Sequence, residues 1–379
     1  MLDTLDRRAV APKAKETRLS RSRRPLQARA RGALLVGLVL FVVAQISMSA
    51  AIENWLPELR DPTFEIKVRQ LTDLIGQHRQ TPTTVVFLGS SISANGMKAG
   101  MVDAPLSAAL GRPAIGYNLA TNGAGPITHL VKVQRLLRRG VRPDLVVLEM
   151  SPIFYAAVES GINIRRLSPH LMEHRDLDTL ERHTDSASLR AEWWEANLVP
   201  IHGHRLMILN HSARPFVPYA DRVAVWTDAD AHGWQGRPSL TPPAHGQVLD
   251  LVETQFKARL AAYKVDDAPL KALRELTDLL AKERIATLMV VMPEGPLMRS
   301  LYAPEAHAAL LAEFSRISRK HRFPLIQARA WLGEDQFRDS YHLHEEGAAV
   351  FTERLVQEAI LPIAANLPAS RLTKNASAD

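Results

Sequence analysis

The stretch Thr83-Thr84-Val85-Val86-Phe87-Leu88-Gly89-Ser90-Ser91 decides the fold class of this chain. Its first six residues are apolar or β-branched, a run typical of a strand buried on both faces. Similar runs predict further strands over residues 114–118, 145–150, 286–292 and 323–328. Helical patterns stand between or after them, over residues 97–110, 130–137, 269–283, 305–320 and 345–360. This alternation predicts an α/β fold of three layers, with helices on both faces of a parallel sheet.

A long uncharged segment precedes this domain. Residues 32–52 carry no charge over 21 positions, and a helix of that length spans about 30 Å, the hydrocarbon thickness of a bilayer. Residues 1–31 hold ten Lys/Arg and three Asp/Glu, so this tail accounts for the whole net charge of +7. Basic residues before a span predict a cytoplasmic N-terminus and an exported domain. A cleaved signal peptide is the alternative, since Ser47 to Ala50 offers small residues for a cut.

The chain is expected to divide as follows: a basic cytoplasmic tail (1–31), a transmembrane helix (32–52), a helical lead-in (53–82), the α/β domain (83–368) and a disordered tail (369–379). Within the domain, residues 155–265 lose clear periodicity and hold four of the six Trp. We expect a long insertion there that forms a wall or lid above the sheet. Residues 32–379 are neutral overall, so we expect no nucleic-acid partner.

Composition excludes several kinds of site. The chain has no Cys, so thiol nucleophiles, CxxC zinc sites and disulfides are excluded. The insertion is rich in His, but His202-x-His204 has no acidic cluster beside it, and we expect no metal there. No cofactor is expected. Its tryptophans, such as Trp194, would either pack the insertion or stack on sugar rings.

Polar residues follow the predicted strands, where parallel α/β folds place their sites. Ser91 follows the first strand, either as an exposed nucleophile or as a helix N-cap. Asp339 stands three residues before His342, a spacing that lets a carboxylate orient an imidazole, although two surface polar residues would show the same pattern. Glu294 follows the fourth strand, either as a pocket residue or as a loop carboxylate. Glu149 ends the third strand, where a buried carboxylate needs a partner, so it either pairs with a nearby Arg or points into the site.

Gly89-Ser90-Ser91-Ile92, taken with Asp339-x-x-His342, resembles the GDSL/SGNH hydrolase superfamily. The segments around Met292-Pro293-Glu294 and Gly347-Ala348 resemble, more narrowly, membrane-anchored SGNH-like proteins of bacterial envelopes, several of which accompany polysaccharide O-acylation systems. The resemblance implies a flavodoxin-like sheet, with Ser91 as nucleophile, His342 as general base and Asp339 as the residue that orients it. It also implies an oxyanion hole formed by the backbone N–H groups of Ser91 and Gly123.

The sequence departs from the family at two positions. Ser90 replaces the acidic residue of Gly-Asp-Ser-Leu, a change that the membrane-anchored proteins share, and we keep Ser90 as a pocket candidate. In this family a third sequence motif, which we call the third block, ends a strand with an Asn whose side chain donates to the oxyanion. Here the chain reads Glu149-Met150-Ser151-Pro152 at that place. Ser151, or Asn122 from the preceding loop, is the candidate replacement. Loss of one such donor costs roughly 100- to 1000-fold in rate.

The sequence therefore predicts an esterase or O-acyltransferase that uses Ser91 and acts on acyl groups, by resemblance acetyl esters of cell-envelope carbohydrate. It would be a single-pass protein of the bacterial inner membrane with a periplasmic domain. A membrane-bound acyltransferase is an expected partner. The alternative is a non-catalytic envelope protein of the same fold that binds glycan or scaffolds such an acyltransferase, and the missing third-block Asn favours it.

Overall fold

The computed structural model of the chain describes residues 23–156, 171–184, 188–218, 229–365 and 367. Five strands form one sheet: β1 (Thr83–Leu88), β2 (Ala114–Asn118), β3 (Leu145–Glu149), β4 (Ala286–Val291) and β5 (Leu325–Gln327). The order is β2-β1-β3-β4-β5, and every neighbouring pair is parallel. The expected α/β class and parallel sheet are confirmed. β5 is shorter than the expected 323–328, because only three of its residues pair with β4.

Fifteen helices lie in the described segments: α1 (Arg23–Asn54), α2 (Pro62–Gly76), α3 (Ser91–Gly96), α4 (Asp103–Leu110), α5 (Pro126–Arg138), α6 (Leu177–His183), α7 (Leu189–Leu198), α8 (Pro200–Gly203), α9 (Arg205–Ser212), α10 (Pro242–Ala261), α11 (Asp267–Lys282), α12 (Pro296–Ser300), α13 (Pro304–His321), α14 (Glu345–Leu355) and α15 (Leu361–Ala364). Short 3-10 turns lie at Pro57–Leu59, Ala99–Val102, Pro152–Tyr155, His174–Asp176, Arg214–Phe216 and Glu334–Gln336. A π-helical turn, Val356–Ile360, joins α14 to α15.

Two of the expected helices are interrupted. The helix expected over 97–110 begins earlier, at Ser91, and is interrupted between α3 and α4. Extended backbone at Met97 ends α3, and the chain restarts through a 3-10 turn. The last helix, expected over 345–360, changes to the π-helical turn after Leu355.

The helices cover both faces of the sheet. On one face α5 packs against α11 and α11 against α13; on the other α3 packs against α14 and α4 against α15. The alternation along β1 explains this arrangement, because successive strand residues point to opposite faces. Val86 packs with Phe64 of α2 and Leu136 of α5, whereas Val85 and Phe87 belong to the larger core.

The lead-in packs onto the domain through α2. Asp61 caps this helix by accepting a hydrogen bond from the Phe64 N–H (3.1 Å). The guanidinium of Arg135 on α5, 2% exposed, donates to Asp61 (2.8 Å) and to the buried Asp176 (2.5 Å). Buried polar groups are stable when they are paired in this way. Arg135 therefore ties the lead-in, the core and the insertion together.

The N-terminal helix α1 contains one candidate membrane span, the 27 residues Ala28–Asn54, which is long and apolar enough to cross a membrane. Length and composition fit a membrane anchor and also a signal sequence. The first 22 residues of the basic tail, the insertion residues His170 and Trp226, and the tail over 369–379 lie outside the described residues.

Candidate active site

Ser91, His342 and Asp339 form a continuous chain of hydrogen bonds. The Ser91 Oγ lies 2.7 Å from His342 Nε2, and His342 Nδ1 lies 2.8 Å from Asp339 Oδ2. A carboxylate at Nδ1 favours the tautomer that carries its proton there, which leaves Nε2 to accept the Ser91 hydroxyl proton. Ser91 opens α3 directly after β1, and the other two residues precede α14. Ser91 and His342 are 251 residues apart in sequence.

The turn that carries Asp339 and His342 is held rigidly. Asp339 Oδ1 accepts hydrogen bonds from the backbone N–H of His342 (2.7 Å) and of Tyr341 (3.3 Å). Ser340 adopts a left-handed conformation, with φ of +67°, which is unusual for a residue with a Cβ. Its buried hydroxyl donates to Glu334 (3.0 Å) and accepts from the Met298 N–H (3.0 Å). These contacts fix the carboxylate against the imidazole.

A buried carboxylate lies beneath the first turn of α3. Glu149, 2% exposed, accepts hydrogen bonds from the hydroxyls of Ser90 (2.6 Å) and Ser93 (2.5 Å) and from the backbone N–H groups of the same two residues (2.8 and 3.1 Å). Gly89 leaves room for it, since a Cβ at Gly89 would lie 2.3 Å from Glu149 Oε2. The partner expected for Glu149 is therefore the pair of serines that flank Ser91 and Ile92, and not an arginine.

The loop after β2 supplies the candidate oxyanion donors. Asn122 faces the same cleft as Ser91 and His342, and Gly123 follows with φ of +72°, a conformation that glycine adopts without strain. Ser91 is the first residue of α3, so its N–H has no carbonyl within the helix to bond. The structure thus places Ser91 and Asn122 at one cleft, and Gly123 is the next residue after Asn122 in the chain.

Two buried lysines support this loop from behind. Lys67 on α2 donates to the backbone carbonyls of Asn118 (3.0 Å), Ala120 (2.7 Å) and Gly233 (3.1 Å). Lys132 on α5 donates to the Thr121 hydroxyl (2.5 Å). Burial lowers the pKa of Lys67 to about 7 and that of Lys132 to about 8, because desolvation disfavours the ammonium form. Both groups hold the loop, and neither lines the cleft.

The cleft has a volume of about 540 Å³. It is lined by Ser91, Asn95, Asn122, Arg237, Pro238, Arg338, Asp339 and His342. Two of these side chains are guanidiniums. Arg338 donates to the Pro238 carbonyl (2.9 Å), which leaves other N–H donors of its planar group for a ligand. Seven of the eight lining residues carry polar side chains, and the two guanidiniums offer cationic donors beside the serine.

Residues 229–238 of the insertion form one wall of this cleft. The indole N–H of Trp234 donates to the Asn95 carbonyl (2.7 Å), and the Asn95 amide donates to the Gln235 carbonyl (2.8 Å). On the other side of the segment, the Asn118 N–H donates to the His232 carbonyl (2.8 Å). The insertion is therefore bonded to α3 and to the end of β2, and it brings Arg237 to the cleft.

Three predicted pocket residues lie in the interior instead of the cleft. Ser90 is fully buried because its hydroxyl bonds Glu149. Ser151 is 2% exposed and has no hydrogen-bond partner for its hydroxyl. Glu294 is 2% exposed, and its carboxylate is satisfied in the interior by hydrogen bonds from Arg329 (2.5 Å) and from the Tyr302 hydroxyl (2.8 Å). The expectation that these three line the pocket is thereby corrected, and Asn122 remains the candidate for the missing donor.

Sequence reasoning missed Asn95, Arg237 and Arg338. Asn95 stands one helical turn after Ser91, which places both on one helix face, and Arg338 directly precedes Asp339. No local pattern marks Arg237, since only the path of the insertion brings it close. His344 caps α14 by accepting from the Gly347 N–H (3.2 Å), so its role in the structure differs from that of His342. Within the described segments, no group of three or more His, Asp or Glu is placed to hold a metal ion.

No family model matches this chain, and no curated protein matches it. Among solved structures, it is similar to a lipase/acylhydrolase from Enterococcus faecalis, with a TM-score of 0.33 and 12% identity over 76% of this chain and 98% of that one. It is also similar to LAE5, an alpha/beta hydrolase enzyme from the metagenome of Lake Arreo, Spain, with a TM-score of 0.31 and 12% identity over 76% and 96% of the two chains. At these values the likeness defines no family.

Proposed function

We propose that this chain is a membrane-anchored, serine-dependent ester hydrolase or O-acyltransferase with an extracytoplasmic catalytic domain. The hydrogen-bonded chain of Ser91, His342 and Asp339 in an open cleft carries this proposal. If Ser91 only capped a helix, the imidazole of His342 would not be needed 2.7 Å from its hydroxyl. A surface Asp–His pair would likewise need no serine, so their convergence from opposite ends of the domain favours a nucleophile with its base.

The proposed reaction begins with attack of Ser91 Oγ on the acyl carbonyl, while its proton passes to His342 Nε2. Asp339 stabilises the imidazolium that forms. The tetrahedral oxyanion accepts hydrogen bonds from the Ser91 N–H, from the Gly123 N–H and from the Asn122 amide. When the intermediate collapses, the imidazolium returns the proton to the leaving alkoxide and an acyl-serine remains. His342 then deprotonates water or a sugar hydroxyl, whose oxygen attacks the acyl carbonyl; the bond to Ser91 Oγ breaks, and the serine takes the proton back from His342. Attack by water gives hydrolysis, and attack by a sugar hydroxyl gives acyl transfer.

We propose acyl esters of cell-envelope carbohydrate, acetyl esters above all, as substrates, and a membrane-bound acyltransferase as a partner. The resemblance of the segments around Met292-Pro293-Glu294, Asp339-x-x-His342 and Gly347-Ala348 to envelope SGNH-like proteins supports this choice. The polar cleft also supports it, since sugar hydroxyls need hydrogen-bonding partners. Arg237 and Arg338 favour a substrate that carries an anionic group near the ester. We propose attachment to the inner membrane with the domain in the periplasm, and the basic tail before the uncharged run supports this orientation.

The proposal is tested with the full chain in detergent. Release of acetate from p-nitrophenyl acetate and from an O-acetylated acidic glycan is measured for wild type and for Ser91→Ala. We expect the substitution to lower the rate by about 1000-fold or more. Ser300→Ala is the matched control, because the exposed Ser300 hydroxyl bonds only the Leu297 carbonyl of its own helix. Equal activity of wild type and Ser91→Ala, in folded protein, would contradict the proposal.

A non-catalytic role is the second candidate. It is favoured by the position of Ser151, which replaces the expected third-block donor but lies outside the cleft. A glycan-binding protein would keep affinity for the acidic glycan in both wild type and Ser91→Ala and release no acetate in either. The same experiment therefore separates the two functions.

A further inference from the structure

Exposed apolar side chains are concentrated in one part of the insertion. Beyond Trp55, nine large apolar residues of the described segments are exposed, and seven of them lie between Trp194 and Phe216. The other two, Leu251 and Val350, stand alone. Soluble surfaces show single exposed apolar residues, whereas a cluster marks an interaction site.

These residues belong to α7, α8, α9, the residue that links α7 to α8, and the turn that follows α9. We call them the apolar surface; they are Trp194, Leu198, Val199, Ile201, Leu206, Leu209 and Phe216. Residues one helical turn apart share a helix face, as Trp194 and Leu198 do on α7 and Leu206 and Leu209 do on α9. The helix α8 contacts both α7 and α9, so these exposed apolar residues come from three adjacent helices.

The apolar surface lies beside the C-terminal end of α1. This helix contacts α7 and α8, and the Ser49 hydroxyl donates to the Asn197 carbonyl (3.0 Å). Gln45 and Ile52 of α1 are 5% and 1% exposed. One face of the end of the uncharged run is therefore packed against the protein, with Ser49 bonded to the insertion, whereas residues 28–44 are exposed.

The length of α1 places this contact within the membrane boundary. Residues 32–44 account for only about 20 Å at 1.5 Å per residue, which is shorter than the roughly 30 Å of hydrocarbon. Residues 45–52 supply the remaining 10 Å or so. Helices that pack against them then lie about 5–10 Å deep, the depth at which interfacial helices bury their apolar faces.

We propose that the apolar surface is a second membrane contact, which inserts into the outer part of the bilayer beside α1 and seats the domain on the lipid. This inference rests on α1 as a retained anchor and is independent of the ester chemistry. Arg205 and Arg214 lie among the apolar residues in the sequence. Cationic side chains beside an inserted face favour anionic lipid headgroups. A seated domain holds the cleft in a defined orientation near the membrane, where a lipid-linked or membrane-delivered substrate is reached.

The absence of Cys from the chain permits a direct test by spin labelling of the full-length protein. Single variants Ile201→Cys and Leu209→Cys report on the apolar surface. Leu251→Cys and Val350→Cys are matched controls on exposed apolar residues elsewhere, and Val39→Cys reports on α1. Each labelled protein is placed in vesicles of phosphatidylethanolamine and phosphatidylglycerol. Collisions with oxygen, which dissolves in lipid, and with a water-soluble nickel chelate are then compared.

We expect labels at 201 and 209 to be shielded from the nickel chelate and open to oxygen, like the label at 39. Labels at 251 and 350 remain open to the chelate. Chelate access at 201 and 209 equal to that at 251, with 39 still shielded, overturns the membrane contact and leaves the anchor. Spin–spin broadening at 201 or 209 that disappears on dilution with unlabelled protein assigns the surface to a second copy and overturns it too. Chelate access at 39 overturns anchor and contact together.

Discussion

Replacement of Glu149 tests whether the buried carboxylate holds the nucleophile in place. Glu149→Ala removes the acceptor of four hydrogen bonds from Ser90 and Ser93. The two serine hydroxyls can turn toward other acceptors, but the two backbone N–H groups cannot. A buried donor left unpaired costs about 1–3 kcal/mol, so the free energy of unfolding falls by about 2–6 kcal/mol. Removal of a buried charge offsets part of this loss.

At about 2 °C per kcal/mol, the lower end for a domain of this size, Tm falls by about 4–12 °C. Glu149→Gln keeps one oxygen, which can serve the three donors now bonded to Oε2, and its amide faces the Ser90 hydroxyl. We expect a loss of only about 1–2 kcal/mol for this variant. Activity follows the same order, because a nucleophile displaced by about 1 Å can lose about 100-fold in rate.

The assay is thermal unfolding of the full chain, followed by initial rates of ester hydrolysis well below each Tm. Glu253→Ala is the control, since this carboxylate is 43% exposed and pairs only with Lys257, and it should cost less than about 0.5 kcal/mol. Wild-type stability and rate in Glu149→Ala would refute the reasoning. A Gln variant less stable than the Ala variant would refute it as well.

Four further predictions concern the catalytic residues, the oxyanion loop, the buried lysine and the cleft. Asp339→Asn keeps the shape but favours the wrong tautomer of His342, so kcat should fall by about 10⁴-fold; steady-state kinetics that show less than a tenfold loss would argue against the triad. Asn122→Ala should lower kcat by about 100-fold with KM little changed if its amide binds the oxyanion, and an unchanged kcat would remove it from that role. Burial lowers the pKa of Lys67 to about 7. Between about pH 7 and 10 the unfolded chain therefore binds a proton that the folded chain lacks, and stability rises with pH through this window. Urea unfolding of Lys67→Met should show a flatter rise than wild type, and identical slopes would contradict the burial effect. Arg237→Gln should raise KM about tenfold, or about 1.4 kcal/mol, for an anionic ester and leave a neutral ester unaffected; equal effects on both would exclude charge recognition.

The sheet was predictable because its strands are short apolar runs bounded by Gly, Pro or polar residues. Thr83–Leu88 and Ala114–Asn118 have the predicted bounds, since a strand buried on both faces shows its burial directly in its composition. β5 is less regular because its residues are only half-buried or exposed, so its composition does not show a continuous buried run. The break between α3 and α4 follows from Met97, whose extended backbone is fixed by tertiary contacts instead of by a local signal.

The site was predictable only where its residues follow strand ends or share a short motif. Ser91 and the Asp339–His342 pair meet this condition. The Glu149 contacts do not, because a carboxylate at a strand end looks the same whether it bonds to serines, pairs with arginine or faces a pocket. Glu294 illustrates the same ambiguity, since it pairs with Arg329 in the interior. Arg237 reaches the cleft through a long insertion whose path depends on tertiary contacts such as Trp234 to Asn95.

Covalent labelling of Ser91 tests the central claim most directly. The folded full chain is treated with a fluorophosphonate, which reacts with a serine hydroxyl activated by an adjacent base, and the adduct is located by peptide mass spectrometry. We predict a single adduct on Ser91 that is absent in Ser91→Ala and strongly slowed in His342→Ala. A folded protein that remains unlabelled, or that is labelled at another serine, would contradict the assignment of Ser91 as the nucleophile.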